Sequence, residues 1–230
     1  MEQLDVIYED NHIIVVIKPQ NIPTMEDSSK DLDLLSMVKA YIKEKYNKPG
    51  NVYVGLVHRL DRPTGGIMVF AKTSKAASRL SAQIQDGTMK KEYLTVLKGQ
   101  LPLKTKKIVN YLKKDGESNT VKIVPMSEEG AKKAELIFEV LETDFSQNPP
   151  LTLAKIELLT GRSHQIRVQM AALKAPVFGD WKYGGETKKQ NLALWAYKLE
   201  FVHPTTKQKM SFKVLPEAKL PWSKFNLSKI

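Results

Sequence analysis

The residues best suited to chemistry stand in two short segments. The chain carries 36 basic residues, and only five of them are arginine. Four of the five lie in His58-Arg59-Leu60-Asp61-Arg62 and Gly161-Arg162-Ser163-His164-Gln165-Ile166-Arg167, with Arg79 the exception. Lysine supplies charge, whereas arginine adds a rigid planar fork that grips a carboxylate or phosphate through two bonds. Reserving arginine for two places points to a need for that geometry there. The first segment also holds a carboxylate, Asp61, between Arg59 and Arg62. Adjacent guanidinium groups favour its ionised form, and an ionised carboxylate acts as a nucleophile or a base. The plainer alternatives are chance clustering or structural ion-pair nodes for the two segments, and a turn-stabilising aspartate for Asp61 when the first segment is taken alone.

The second segment sits where a strand gives way to a helix. Backbone N–H groups at a helix N-terminus attract anions, and Arg162 and Gln165 would extend such a site. Arg167 lies one turn further in. It is placed to pair bidentately with a carboxylate from another strand end, for which Asp61 is the candidate. His164 reads as a polar helix-start residue. The four histidines, at 12, 58, 164 and 203, form no close pair, which argues against zinc. A phosphate-binding GxxxxGK[ST] loop, a GxGxxG turn and a GxSxG elbow are all missing. His58-Arg59-Leu60-Asp61 is superficially like a kinase catalytic loop, but the Asn and Asp-Phe-Gly that should follow do not. Asp31-Leu32-Asp33 suggests a phosphatase pair, yet it opens a helix, so capping by Asp31 or Asp33 explains it better. A glycosidase would need a second carboxylate facing Asp61, and none is evident.

Composition narrows the class further. A chain of 230 residues with a net charge of +11 suits a soluble protein with a polyanionic partner, most often nucleic acid. There is no cysteine, which excludes disulfides, thiolate metal sites and a thiol nucleophile. Residues Met1 to Asp10 are too acidic for a signal peptide, and no apolar run approaches the roughly 20 residues of a membrane span. A cytoplasmic protein with no membrane association is the expectation.

The elements that must position these residues follow from periodicity and punctuation. Leu4–Tyr8 and Ile13–Ile17 form a hairpin. A polar, mobile loop from Gln20 to Lys30 is expected before a helix to about Tyr46. Strands are expected over Val52–Val57 and Ile67–Ala71, on either side of the loop that carries Asp61, and a helix over Ser74–Gln85. Further strands are expected over Glu92–Leu97, Ile108–Leu112, Thr120–Val124, Ala134–Leu141 and Leu151–Leu159. A helix over Ser163–Leu173 and strands over Leu192–Val202 and Lys209–Val214 complete the pattern. Asn148-Pro149-Pro150 reads as a loop inside a domain. The fold class is α+β with a mixed, largely antiparallel sheet and flanking helices.

At this point the motifs match a known family. Val57 to Gly66 (VHRLDRPTGG), Lys91-Glu92-Tyr93 and Leu158 to Met170 (LLTGRSHQIRVQM) together resemble the RluA-type pseudouridine synthases. Lys18-Pro19, Gly179-Asp180 with Tyr183-Gly184, and Leu199 to Pro204 extend the match along nearly the whole chain. The resemblance implies a pseudouridine synthase fold with a central basic cleft, and isomerisation of uridine in RNA without cofactor or metal. It implies that Asp61 is the catalytic aspartate, that Tyr93 packs on the target base and that Arg167 pairs with Asp61. Arg59 would fill the space left by the extruded base. His58, Arg62, Lys91, Arg162, His164 and Gln165 are the further candidates for RNA contact. Two departures stand out: Pro63-Thr64-Gly65-Gly66 replaces the usual Asp-Thr-Ser-Gly, and Trp195 stands where many members have histidine. With a first strand from Leu4, a single catalytic domain over 1–230 without an S4 domain is expected. The partner is ribosomal or transfer RNA, with a monomer and no obligatory protein partner. The alternative is a non-catalytic RNA-binding or ribosome-assembly protein, which explains the charge but not an arginine-flanked aspartate. A phosphoryl-transfer or hydrolytic enzyme using Asp61 would need a divalent metal.

Overall fold

A computed structural model describes residues 4–185 and 190–230, so Met1 to Gln3 of the acidic N-terminal stretch lie outside the described residues. The chain divides into two compact units, one of residues up to Lys90 together with Lys198–Val214, the other of Lys91–Tyr197 with Leu215–Ile230.

The first unit is built on a run of β-branched residues. Ile13 to Val16 are all fully buried, so both faces of their strand are covered. Each such side chain stabilises the fold by about 1.5–3 kcal/mol. Strand β1 (Asp5–Glu9) pairs antiparallel with β2 (Ile13–Lys18), which pairs antiparallel with β4 (Gly65–Ala71). Ile13 and Val15 share a core with Ile67, Val69, Leu199 and Phe201, closed by Ala76 and Leu80 of helix α2 (Ser74–Gln85). Helix α1 (Leu34–Lys45) buries Leu34, Met37, Val38 and Ile42. Of the two candidate caps, Asp33 is the one used: its carboxylate accepts from the Ser36 N–H at 3.0 Å and the Ser36 hydroxyl at 2.6 Å.

The strand expected over Val52–Val57 shrinks to β3, Gly55–Leu56. Gly55 and Leu56 pair with Ala71 and Phe70. At the next position the His58 ring intervenes, its Nε2 accepting the Val69 N–H at 3.1 Å. A side chain thus takes a donor that a longer backbone ladder would have used, and the chain is released into the loop that carries Asp61.

The second unit contains five antiparallel strands in the order β5 (Lys90–Lys98), β9 (Leu151–Leu158), β8 (Lys132–Asp144), β6 (Thr105–Asp115) and β7 (Thr120–Val124). Strands β6 and β8 run well past their apolar centres. Lys132 pairs with Leu112 and Lys106 with Phe138, so backbone pairing carries lysine-rich flanks into the ladder. Asn148-Pro149-Pro150 joins β8 to β9 inside this unit, as expected of an in-domain loop. Helix α3 (Gln165–Ala172) begins two residues later than Ser163, because His164 adopts φ 51°, a left-handed backbone that a right-handed helix does not accommodate. Val168 packs with Leu112, Val121 and Ala134. Strand β10 (Leu194–Val202) starts in this unit and ends in the first, where it pairs with β11 (Lys209–Lys213). The α+β fold class stands, and no helix among the described residues is long and apolar enough to cross a membrane.

Glu9 ties the first unit together. Its side chain is 6 % exposed and accepts from Lys45 at 2.6 Å, Lys72 at 2.5 Å, Tyr46 at 2.9 Å and Tyr41 at 3.2 Å. Desolvation acts to raise its pKa, but the bonds from Lys45, Lys72 and Tyr46 overcome it and hold the carboxyl at about 2. A folded pKa below the ordinary 4.5 means that its contribution is complete above about pH 4.5 and disappears as pH falls towards 2. Glu9→Gln should therefore lower stability at neutral pH by about 1–3 kcal/mol. In urea unfolding, the gap between the two proteins should close in the acid range; a constant gap down to pH 2 would refute this account.

Candidate active site

Asp61, His58, Arg59 and Arg62 belong to the first unit; Lys91, Tyr93, Arg162, His164, Gln165 and Arg167 belong to the second.

Around Asp61 four consecutive carbonyls are held. The Leu60 carbonyl accepts from the buried Thr24 hydroxyl at 2.8 Å, and the Thr24 hydroxyl oxygen accepts the Leu60 N–H at 3.3 Å. The Asp61 carbonyl accepts from the Thr64 N–H at 2.9 Å, closing a turn. The Arg62 carbonyl accepts from Lys18 Nζ at 3.0 Å, and the Pro63 carbonyl from Gln20 Nε2 at 3.1 Å. A backbone tied at every residue presents its side chains in one direction, which is what a reacting carboxylate requires.

Lys18 is the residue that sequence reading passed over as chemistry. It is fully buried, and its ammonium donates to the carbonyls of Pro19 at 2.8 Å, Ile22 at 2.6 Å and Arg62. Three acceptors use all three N–H bonds. Burial pushes its pKa down to about 7; the negative charge of Asp61 opposes that shift and the Arg62 guanidinium adds to it. In the sequence it entered only as the Lys18-Pro19 motif position, a lysine placed directly after a wholly apolar strand.

Arg62 reaches the polar segment that precedes helix α1. Its Nε donates to the Asn21 carbonyl at 3.0 Å, its Nη1 to Ser29 at 3.0 Å, and its fork meets Asp31 and, at 3.6 Å, Asp27. It clamps the polar 20–31 segment against the Asp61 loop, and this, beside the Asp33 cap, accounts for Asp31. Arg59 is exposed, and His58 is engaged with Val69.

In the second unit Tyr93 lies on β5 opposite Ile156 and is 7 % exposed. Lys91, two residues earlier on the same face, reaches over Gly161: a Cβ there would lie 3.5 Å from its Nζ. Desolvation lowers the Lys91 pKa.

Several polar groups of residues 160–165 bond within the unit. Gln165 Oε1 accepts the Arg162 N–H at 3.1 Å and the Thr160 hydroxyl at 2.8 Å, while its Nε2 donates to the Glu135 carbonyl at 3.0 Å. Arg162 Nε donates to the Lys133 carbonyl at 2.9 Å. These bonds fasten the segment to β8. Arg167 is almost fully buried and pairs bidentately with Asp180, Nε to Oδ2 and Nη2 to Oδ1, both at 2.7 Å. Tyr183 stacks on its guanidinium and meets His164 Nδ1 at 2.7 Å. Asp180 and Tyr183 entered the sequence reading only as motif positions.

This geometry can be set beside known proteins. Residues 12–172 match the family model described as RNA pseudouridylate synthase. The chain belongs to that family. Its enzyme class is accordingly an isomerase, an RNA pseudouridine synthase. The synthase is 35% identical over 227 residues to the uncharacterized RNA pseudouridine synthase YhcT of Bacillus subtilis (strain 168), covering 98% of this chain and 71% of that one. It is 34% identical to ribosomal large subunit pseudouridine synthase D of Neisseria meningitidis serogroup A, covering 95% of this chain and 58% of that one. Several relatives are thus longer than the synthase, which spans between 58% and 71% of these two. Among solved structures it is similar to human RNA pseudouridylate synthase domain containing 1, with TM-score 0.74 and 26% identity, covering 96% of this chain and 86% of that one.

Lys18→Met would leave three carbonyls without their donor. It should lower stability by about 1–3 kcal/mol. Because the folded pKa is depressed from 10.5 to about 7, the unfolded chain binds more protons between these values, so Lys18 makes stability rise with pH across that window. Unfolding measured from pH 7 to 10 should show a shallower rise in Lys18→Met; an identical slope would contradict the assignment.

Proposed function

We propose that this synthase isomerises particular uridines in structured RNA to pseudouridine, with Asp61 as the catalytic carboxylate. The match to the family over residues 12–172, which takes in Asp61, Tyr93 and Arg167, carries this reading. The pinned turn around Asp61 supports it. The reaction breaks the N1–C1′ bond, turns the ring and joins C5 to C1′. The proton leaves C5 and N1 gains one, so the atoms balance without a co-substrate. A stacked base cannot turn, so it is first extruded at a cost of a few kcal/mol. Stacking on Tyr93 and lysine contacts to phosphate offset that cost, and Arg59 occupies the vacated space. The carboxylate then acts as a nucleophile on the sugar, a nucleophile on the base, or a base on the sugar; each route needs it ionised and aimed. Arg167 is the guanidinium assigned to that task.

Ribosomal RNA is the substrate we favour over transfer RNA, since relatives at 30–34% identity are named ribosomal large subunit pseudouridine synthases. Pseudouridine mapping of total RNA from cells with and without the protein tests this; sites lost only from transfer RNA would overturn it.

Asp61→Asn keeps the shape and removes the charge. Turnover should fall by roughly 10⁴-fold, the scale on which one member of a catalytic set acts, with RNA affinity changed little. Near-normal turnover in this variant would remove Asp61 from the mechanism and favour a non-catalytic RNA-binding role. RNA affinity should fall linearly on a log–log plot against salt, by about 0.7–0.9 per phosphate contacted. A flat plot would refute phosphate-driven binding.

A further inference from the structure

The motif around Asp180 has no part in the reading above, yet it holds a buried charge fixed from several sides. We propose that Asp180, assisted by Tyr183, is a positioning residue that sets the orientation of the Arg167 guanidinium for the isomerisation. This rests on the role given to Arg167 under the proposed function.

Arg167 and Asp180 are 2 % and 0 % exposed. The pairing is side-on, through Nε and Nη2, so rotation about the Cδ–Nε bond is blocked. Tyr183 blocks the remaining freedom: its ring centroid lies 5.2 Å from Arg167 Cζ. The ring is itself fixed at its far end, where the hydroxyl accepts the Val121 N–H at 2.8 Å and meets His164 Nδ1.

Asp180 is equally fixed. Its Oδ1 also accepts the N–H groups of Lys182 at 3.0 Å and Tyr183 at 3.1 Å, and its carbonyl accepts the Gly184 N–H at 2.8 Å. Gly179 precedes it at φ +80°, where a Cβ would stand 2.3 Å from the Asn191 carbonyl oxygen. Only glycine fits at 179, and the bonds to Lys182, Tyr183 and Gly184 restrain the turn that follows.

A buried ion pair adds little net stability, because desolvating both charges offsets their attraction. What this one supplies is direction. A guanidinium held by one bond swings; a guanidinium held in plane by two bonds and from above by a ring does not.

Asp180→Asn preserves volume, and its amide oxygen can still accept from Lys182 and Tyr183. Its amide nitrogen, however, meets the Arg167 Nε–H donor to donor, so the guanidinium turns away. kcat should fall by roughly 10²-fold, the loss that misplacement by about 1 Å produces. KM and RNA affinity should stay within about threefold, since binding is untouched. A purely structural residue would instead lower the melting temperature and the active fraction, with no separation of kcat from KM per active enzyme. Should Asp180→Asn fail to fold, Tyr183→Leu leaves the ion pair intact and removes the ring. It should show the same separation with a smaller loss, about tenfold. Arg167→Lys distinguishes the two layers of the argument. If Arg167→Lys is impaired while Asp180→Asn and Tyr183→Leu retain kcat within threefold of the parent, the positioning role is wrong and the reading of Arg167 survives. If Arg167→Lys itself turns over normally, that reading falls and takes the positioning role with it.

Discussion

The constraint that matters most in the first unit is on the backbone that carries Asp61. Asp61 lies in an irregular segment, where nothing in a helix or strand ladder restrains it. Restraint comes from side chains and one turn bond, which together occupy the carbonyls of residues 60 to 63 in succession. A buried carbonyl left without a donor is costly, so each of these bonds strongly favours one backbone arrangement. The same contacts tie the polar segment after Pro19 to the fold. It is a bracket, joined to the Asp61 loop by Lys18, Gln20, Thr24 and Arg62.

Two buried cations illustrate how differently lysine and arginine do this kind of work. Lys18 places a compact ammonium among three carbonyls, a match for three donors radiating from one nitrogen. Arg167 lays a flat fork against a flat carboxylate and is stacked by a ring. The first arrangement gathers backbone; the second aims a charge. Exchanging the two residue types would satisfy neither set of partners.

The clustered arginines make bonds that their sequence neighbours do not announce. Arg62 next to Asp61 in sequence invites the inference that the two pair. In the fold Arg62 reaches Asp27, Ser29 and Asp31. Likewise the start of α3 had the composition of an anion site, yet Gln165 turns back on the Arg162 N–H and on β8. Polar side chains near a helix start satisfy whichever donors and acceptors the neighbouring strands leave open, and sequence adjacency says little about which those are.

What the sequence by itself determined is local or carried by motif. Runs such as Ile13 to Val16 specify strands because β-branched side chains fit a pleated, covered surface. The Asp31–Asp33 stretch marks the start of α1 because an aspartate just before a helix can accept a first-turn N–H, though which of the two does so, Asp33 through Ser36 three residues on, was settled only in the fold. The order of the motifs was enough to identify the family. Tertiary structure alone decided the partners of the charged groups. Lys18 meets a carbonyl 44 positions away, Arg62 a carboxylate 31 away and Gln165 a carbonyl 30 away. Such bonds form between whichever groups the strands bring within 3 Å of each other, and chain composition carries no record of that distance.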